Sequence, residues 1–352
     1  SNALRNSGLA LALGFSFVAC DSVTESTPII AATPTLAEAS ATGDIVAASN
    51  PGGAADDDGI LIRKTLNSIR FATDLEVQYM NETGEPAPEG SSIQTIKVTD
   101  DRQVVFATVD RGNGKGALGR TERMRRTVSM FTGNGQLVAP KGFDVVEEFG
   151  VVVVADFGGS AIKVFGIDPT PQGLLPLLFT IDDLGGESSV WDVVHDPTND
   201  RLYVAGTAGT VLVYDDFAAT GPQAPTRMFT PAMGGEKISV NLHGIDYDLA
   251  TDQLLLTDVG SAASPSDGQI FTIENASTAM GLTEVKWVVG GDQTILGNPV
   301  DAVLSNGAAY VAEKSNDAVL KYDNVFDRMG SANVAADASI TVIKAESVDA
   351  VR

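Results

Sequence analysis

Three aspartates, Asp192, Asp301 and Asp349, stand in the short apolar settings "VWDVV", "PVDAV" and "SVDAV", copies of a unit of about fifty residues. Gly142 and Gly244 hold the same place in two further copies. Carboxylates drawn to one small volume repel each other unless a cation or protons intervene, and oxygen-rich clusters suit Ca²⁺. These three aspartates are therefore expected to be metal ligands, with general surface acidity as the competing explanation. One position earlier in successive copies stand Lys141, Trp191 and His243. A cation, an indole and an imidazole around one opening suit a ligand pocket, although they would also serve as packing. Asn241 and Asn298 lie close by and join the expected ligand-binding set. The preceding loops add carboxylates in "GGE" (185–187), "GGE" (234–236) and "GGD" (290–292), and Glu346 precedes the last copy.

Signatures of familiar catalysis are scarce, and no catalytic residue is assigned. The chain has one cysteine, Cys20, and two histidines. His195 precedes Asp196 at a hairpin turn and reads as a surface or turn histidine. The stretch "GKGALG" (114–119) satisfies G-x-G-x-x-G. A dinucleotide site would need it to open a helix within a strand–helix–strand unit, and its surroundings read as strands, so no nucleotide cofactor is expected. "RTERMRRTV" (120–128) reads as a solvated excursion, with a basic loop as the alternative.

What must position these side chains is an internal repeat. Four segments align: 141–168, 191–216, 243–275 and 300–324. Each reads as strand, tight turn, strand, Gly/Ser/Asn loop, strand, with turns such as "DPTND" and "DLATD" built from residues that set turn geometry. A fourth candidate strand follows each: "LLFTI" (177–181), "TRMFT" (226–230), "EVKWVV" (284–289) and "SITVIKA" (339–345). Four short strands in about fifty residues is the pattern of a propeller blade. A weaker copy spans 92–133, and 43–66 echoes 252–275 without a first strand. "SVDAVR" (347–352) is expected to supply that strand and close the ring. The fold class expected is all-β, a six-bladed β-propeller over 42–352, with the C-terminal strand joining the N-terminal blade.

A formal charge of −23 makes nucleic acid an unexpected partner, because phosphate binding wants a basic stripe. It also repels anionic membrane surfaces, and it is what proteins of high-salt habitats carry throughout. Behind Arg5, "GLALALGFSFVAC" suits a signal-peptide core and is too short for a membrane span. Its end, Phe17-Val18-Ala19-Cys20, resembles the bacterial lipobox, which implies lipidation at Cys20. Residues 1–20 then read as the leader and 21–41, rich in Ser, Thr, Pro and Ala, as a flexible tether. The membrane would be met only through that anchor, and the propeller would lie outside the cytoplasm, in the cell envelope.

"PKGFDVVEEFGVVVVADFGGSAIKVFGID" (140–168) resembles an NHL repeat, and "NDRLYVAGTAGTVLVYD" (199–215) is similar to YVTN-type propeller repeats. That resemblance covers about four units and implies architecture, since such propellers serve as binding scaffolds, hydrolases, lactonases and lyases. The location of the acidic residues resembles that in calcium-dependent gluconolactonase and paraoxonase-like propellers, although "NPVDA" departs from their Pro-Asp-Gly. Two functions stand open. One is a monomeric binding or scaffold module for a small molecule or an envelope protein. The other is a metal-dependent hydrolase or lactonase using Ca²⁺ at the same mouth. A third, a structural surface protein, needs no site.

Overall fold

The computed structural model describes residues 44–49, 60–65, 72–76, 78–80, 92–99, 104–110, 116–122, 127–130, 136–168, 174–261, 264 and 266–350. The expected leader, lipidation site Cys20 and tether lie outside these residues, as does Val351. The described strands form six sheets, each built on four antiparallel strands, with further short strands added at the edges of three of them. We number the sheets by their first strands: Ala345–Ala350 (I), Ser92–Val98 (II), Pro140–Val146 (III), Val190–Asp196 (IV), Leu242–Asp248 (V) and Pro299–Ser305 (VI). These six strands lie side by side in circular order from I to VI and back to I. The fold class is all-β, a β-propeller.

Sheet I is assembled from both ends of the described chain. Ala345–Ala350 pairs antiparallel with Asp44–Ser49, so that Val348 faces Ala47 and Ala350 faces Ile45. Ile60–Thr65 and Ala72–Glu76 complete it. The pairing gives Asp44–Ser49 a partner on both sides and leaves it no open edge.

In sheets III to VI the second strands are almost wholly buried, because neighbouring sheets cover both of their faces. Every residue of Val151–Asp156, Gln253–Asp258 and Ala308–Glu313 is buried. The core is accordingly a series of apolar layers between adjacent sheets. One joins Val153, Val164, Val193 and Leu212 of sheets III and IV, and another joins Tyr203, Val213, Leu256 and Phe271 of IV and V. Three second strands end in a carboxylate that accepts backbone N–H groups from the loop leading into the first strand. Asp156 takes Val138 and Ala139, Asp258 takes Val240 and Asn241, and Glu313 takes Gly297 and Asn298. Part of the acidity of this chain is therefore internal loop structure.

Asn306-Gly307 turns sheet VI with both residues at positive φ, as a tight hairpin turn requires. The fourth strands differ from the sequence reading. "EVKWVV" divides, with Gly281–Glu284 lying parallel against Arg227–Met233 of sheet IV and Trp287–Gly290 closing sheet V. "SITVIKA" also divides, since Ala338–Thr341 ends sheet VI and Ala345 already belongs to sheet I. "GKGALG" runs into the strand Gly116–Glu122 and opens no helix.

Candidate functional site at the channel mouth

All six first strands slip register at the same level, near their beginnings. The slips fall between Ile93 and Thr95, between Val190 and Asp192, and between Pro299 and Asp301, with equivalents at Lys141, His243 and Glu346. A bulge leaves one residue out of the ladder and re-aims its side chain, often beside a functional site. The residues so placed are Gln94, Lys141, Trp191, His243, Val300 and Glu346, one from each sheet.

Within this ring Trp191 and His243 stack with centroids 3.5 Å apart and planes 9° from parallel. The Lys141 ammonium lies 5.0 Å from the Trp191 centroid, and Phe157 meets the indole edge-on at 5.4 Å. Lys141 Nζ donates to Gln94 Oε1 at 2.6 Å and stands 4.0 Å from Asp110. Lys314, on the loop after the second strand of sheet VI, pairs with Glu346. Burial pulls the Lys141 pKa down, with Asp110 and Glu346 opposing and Lys314 adding. Burial also holds His243 well below the usual imidazole range, helped by the charges of Lys141 and Lys314, so the ring is neutral at pH 7. His243 is only 5% exposed and its Nδ1 is buried without a partner. The Oδ1 atoms of Asn241 and Asn298, at the loop ends entering sheets V and VI, are likewise buried and unpartnered.

The aspartates lie deeper. Below the bulge come Thr95, Gly142, Asp192, Gly244, Asp301 and Ser347; two residues further come Lys97, Asp144, Val194, Asp246, Val303 and Asp349. The sequence reading put Asp349 level with Asp192 and Asp301. The register corrects this: Ser347 holds that level, and Asp349 stands with Asp144, Asp246 and Lys97.

These carboxylates fasten five of the six pairs of neighbouring sheets; between II and III the Thr108 hydroxyl donates to the Lys141 carbonyl instead. Asp144 Oδ2 accepts His195 N–H at 2.8 Å, Asp192 Oδ2 accepts Ile245 N–H at 3.3 Å, and Asp246 Oδ2 accepts Leu304 N–H at 2.7 Å. Asp301 Oδ2 accepts Val348 N–H at 3.0 Å and the Ser347 hydroxyl at 2.5 Å. Asp349 Oδ2 accepts Val98 N–H at 2.7 Å, beside a bond from Ile96 N–H to Ser347 Oγ at 3.1 Å. Asp144, Asp192, Asp246 and Asp301 also accept the amide of the residue that follows. Gly142 is needed here, because a Cβ would stand 1.8 Å from Asp192 Oδ1.

Lys97, which sequence reasoning missed, is the cation of this belt. Burial opposes its charge, but the fields of Asp349, Asp192, Asp301 and Asp246 outweigh burial and drive its pKa up. Asp192 is pushed well up by burial and by Asp301, against the pull of Lys97; Asp301 is raised by burial, against Lys97 and its hydrogen bonds. The donor set does not fit a divalent ion. The oxygens expected to ligate one accept backbone N–H groups, an ammonium already sits in their field, and among the described residues no group of three or more ligating side chains gathers as a metal site. His195, at the other end of its strand, stands 3.2 Å from Asp200 and edge-on to Phe149, as a core histidine.

The circular arrangement of four-stranded sheets defines the class as a β-propeller. No protein-family model matches the chain, and no curated protein sequence matches it. Solved structures do. A chain of the nidogen/laminin complex superposes with TM-score 0.59 at 14% identity, over 88% of this chain and 98% of that one. The periplasmic gluconolactonase PpgL of Pseudomonas aeruginosa superposes with TM-score 0.54 at 12% identity, over 88% and 99%. At such identities the likeness is one of fold.

Proposed function

We propose that the protein is a six-bladed propeller of the NHL/YVTN kind, the six sheets being its blades and sheet I its closure, and that it acts as a binding module. Its ligand sits at the mouth lined by Lys141, Trp191, His243, Asn241 and Asn298. One observation carries this reading. Six bulges set one side chain from each sheet out of the ladder at the same level of the ring; His243 Nδ1 is buried there without a partner, and the loop ends entering sheets V and VI hold two more such atoms, Asn241 Oδ1 and Asn298 Oδ1. A native protein rarely leaves such atoms unsatisfied unless water, an ion or a ligand completes them. The test is a fluorescence and thermal-shift screen of small metabolites. Trp191 reports on the mouth, while Trp287, 1% exposed in the core, stays constant. Ligands that shift the wild type should lose their effect in His243→Ala. Ligands whose effect survives every mouth substitution would move the site elsewhere.

A second reading, a lactonase, is favoured by His243, a neutral imidazole able to take a proton at pH 7. Its fold neighbour PpgL is a gluconolactonase. Lactone opening that His243→Asn abolishes would establish it, and its absence across a lactone panel would leave the binding module. We further propose that the propeller is held outside the cytoplasm by a lipid on Cys20. Labelled palmitate should enter the protein expressed with this leader and be lost in Cys20→Ala.

A further inference from the structure

The charges of the mouth are unevenly met. Lys314 is paired with Glu346, whereas Lys141 has a neutral amide at 2.6 Å and its nearest carboxylate, Asp110, at the 4.0 Å limit of an ion pair. A partly desolvated ammonium held this way is a point charge with room for a stronger acceptor. Beside it stands His243, 5% exposed, with Nδ1 buried and unpartnered, so that Nε2 is the nitrogen left to meet a ligand. With its proton on Nε2 the ring donates. Next to these donors Phe157, edge-on to Trp191, is 37% exposed, and at the same end of the ring Val240 and Ile295 are 60% and 45% exposed.

We propose that the ligand of this mouth is a small oxyanion with an apolar body: a carboxylate or phosphate on Lys141 Nζ and His243 Nε2–H, with the body against Phe157. The inference rests on the mouth being a ligand site, and adds the chemical class of the part held by Lys141 and His243; an oxyanion brings no donor, so the acceptors His243 Nδ1, Asn241 Oδ1 and Asn298 Oδ1 are left to water. It runs against the −23 charge of the chain, which repels anions at long range. Specificity therefore comes from contacts inside the mouth, and added salt should speed association by screening the repulsion.

The experiment uses matched probes on the whole protein at constant ionic strength, read by Trp191 emission and by melting temperature. Benzoate and benzamide share a shape and differ in charge, and inorganic phosphate tests the second kind of oxyanion without an apolar body. Benzoate is expected to bind saturably and benzamide about tenfold more weakly, because a charge-assisted contact is lost. Lys141→Met should weaken benzoate by about tenfold or more, and Lys141→Arg should recover most of that. Should Lys141→Met fold poorly, Lys314→Met serves as a second variant: it removes a cation already paired to Glu346 and is expected to alter benzoate binding less than threefold or so. Phosphate binding lost in Lys141→Met would support the oxyanion class and name phosphate as its form. Benzamide binding as tightly as benzoate overturns the oxyanion while leaving the mouth a ligand site. No response of Trp191 to benzoate or phosphate overturns it too, and the metabolite screen then decides the mouth separately.

Discussion

Two levels of the same six strands, only a few residues apart, have opposite chemistry. In the belt beside Lys97, the aspartates accept N–H groups from a neighbouring strand and lie in the field of its ammonium. At the mouth above it, the bulged residues include a buried imidazole nitrogen with no partner and a lysine held chiefly by an amide. Satisfied polar groups in a low-dielectric channel fix geometry, whereas unsatisfied ones wait for something to complete them. The acidity that most attracts attention in the sequence is thus the fastening of the ring. The less conspicuous column above it has the features of a site.

If that contrast is right, the belt governs stability and the mouth does not. The largest effect should come from Lys97→Met, which removes the cation in the field of four carboxylates. Breaking a buried charge arrangement by removing one partner costs about 3–5 kcal/mol. Urea unfolding at pH 8 should show that loss, and the loss should shrink toward pH 5. The sign follows from the carboxylates. Asp192 and Asp301 have folded-state values above their ordinary range, so the folded chain binds their protons more firmly than the unfolded chain. Their contribution is present below the ordinary carboxylate range and is lost as pH rises through the raised values. Without Lys97 those values rise further, and acid relieves the repulsion. A deficit below about 1 kcal/mol, or one that grows with acid, would remove Lys97 from its role.

Next in size is the loss of a single fastening. Asp301→Ala leaves Val348 N–H and the Ser347 hydroxyl without their shared acceptor at the joint between sheets VI and I. A cost of about 2–3 kcal/mol is expected from unmet buried donors. Gly142→Ala should cost about 1–3 kcal/mol by overpacking, since the new methyl collides with the Asp192 carboxylate. The two can be separated by the double variant Gly142→Ala/Asp192→Ala. There the collision is absent, and the combined loss should fall short of the sum.

Mouth substitutions should cost less. Lys141→Met gives up a cation–π contact and one hydrogen bond at the opening, about 1 kcal/mol or less together. His243→Ala loses the stack on Trp191, worth about 0.5–1.5 kcal/mol, while removing an unpartnered buried nitrogen. Both should melt within a few degrees of the wild type and still lose the ligand response. A mouth variant as damaging as Lys97→Met would show the two levels to be one structural unit.

How much of this was legible in the sequence depended on the sheet. In III to VI, alternating apolar strands and Asp- or Asn-rich turns gave the elements away, and Lys141, Trp191 and His243 fell into one column, whose side chains meet in the structure. The fourth strands were less legible, because short exposed stretches such as Gly281–Glu284 pair with whichever neighbouring sheet offers an edge. The belt was misread for a geometric reason. Residues i and i+2 of a strand face the same way, so matching "SVDAV" to "PVDAV" by its letters shifted the register by two and still kept every aspartate on the inner face. Lys97 was hidden because sheet II is the weakest copy, and only the bulge positions set "QTIKV" (94–98) level with "KGFDV" (141–145). Lys314 and Phe157 arrive from loops after second strands, which no first-strand column contains.

The smallest expected effect is a null one, and it tests the belt most directly. Calcium added at constant ionic strength should raise the melting temperature no more than the sodium chloride it replaces. Both salts will stabilise a chain of charge −23 by screening its self-repulsion, so a rise against a salt-free control decides nothing. A real site of ordinary extracellular affinity, on the order of 10⁻⁴ M, would add a further shift at millimolar calcium, since ligand bound only to the folded state stabilises it by RT ln(1 + [L]/Kd). Calcium in the belt would compete with the field of Lys97 and with the backbone N–H groups that the carboxylate oxygens accept. N–H groups so displaced would be buried and unsatisfied, at about 1–3 kcal/mol each. Asp301→Asn is the control: its response to the two salts should match that of the wild type. An excess calcium shift in the wild type that disappears in Asp301→Asn would show that the belt takes a metal after all.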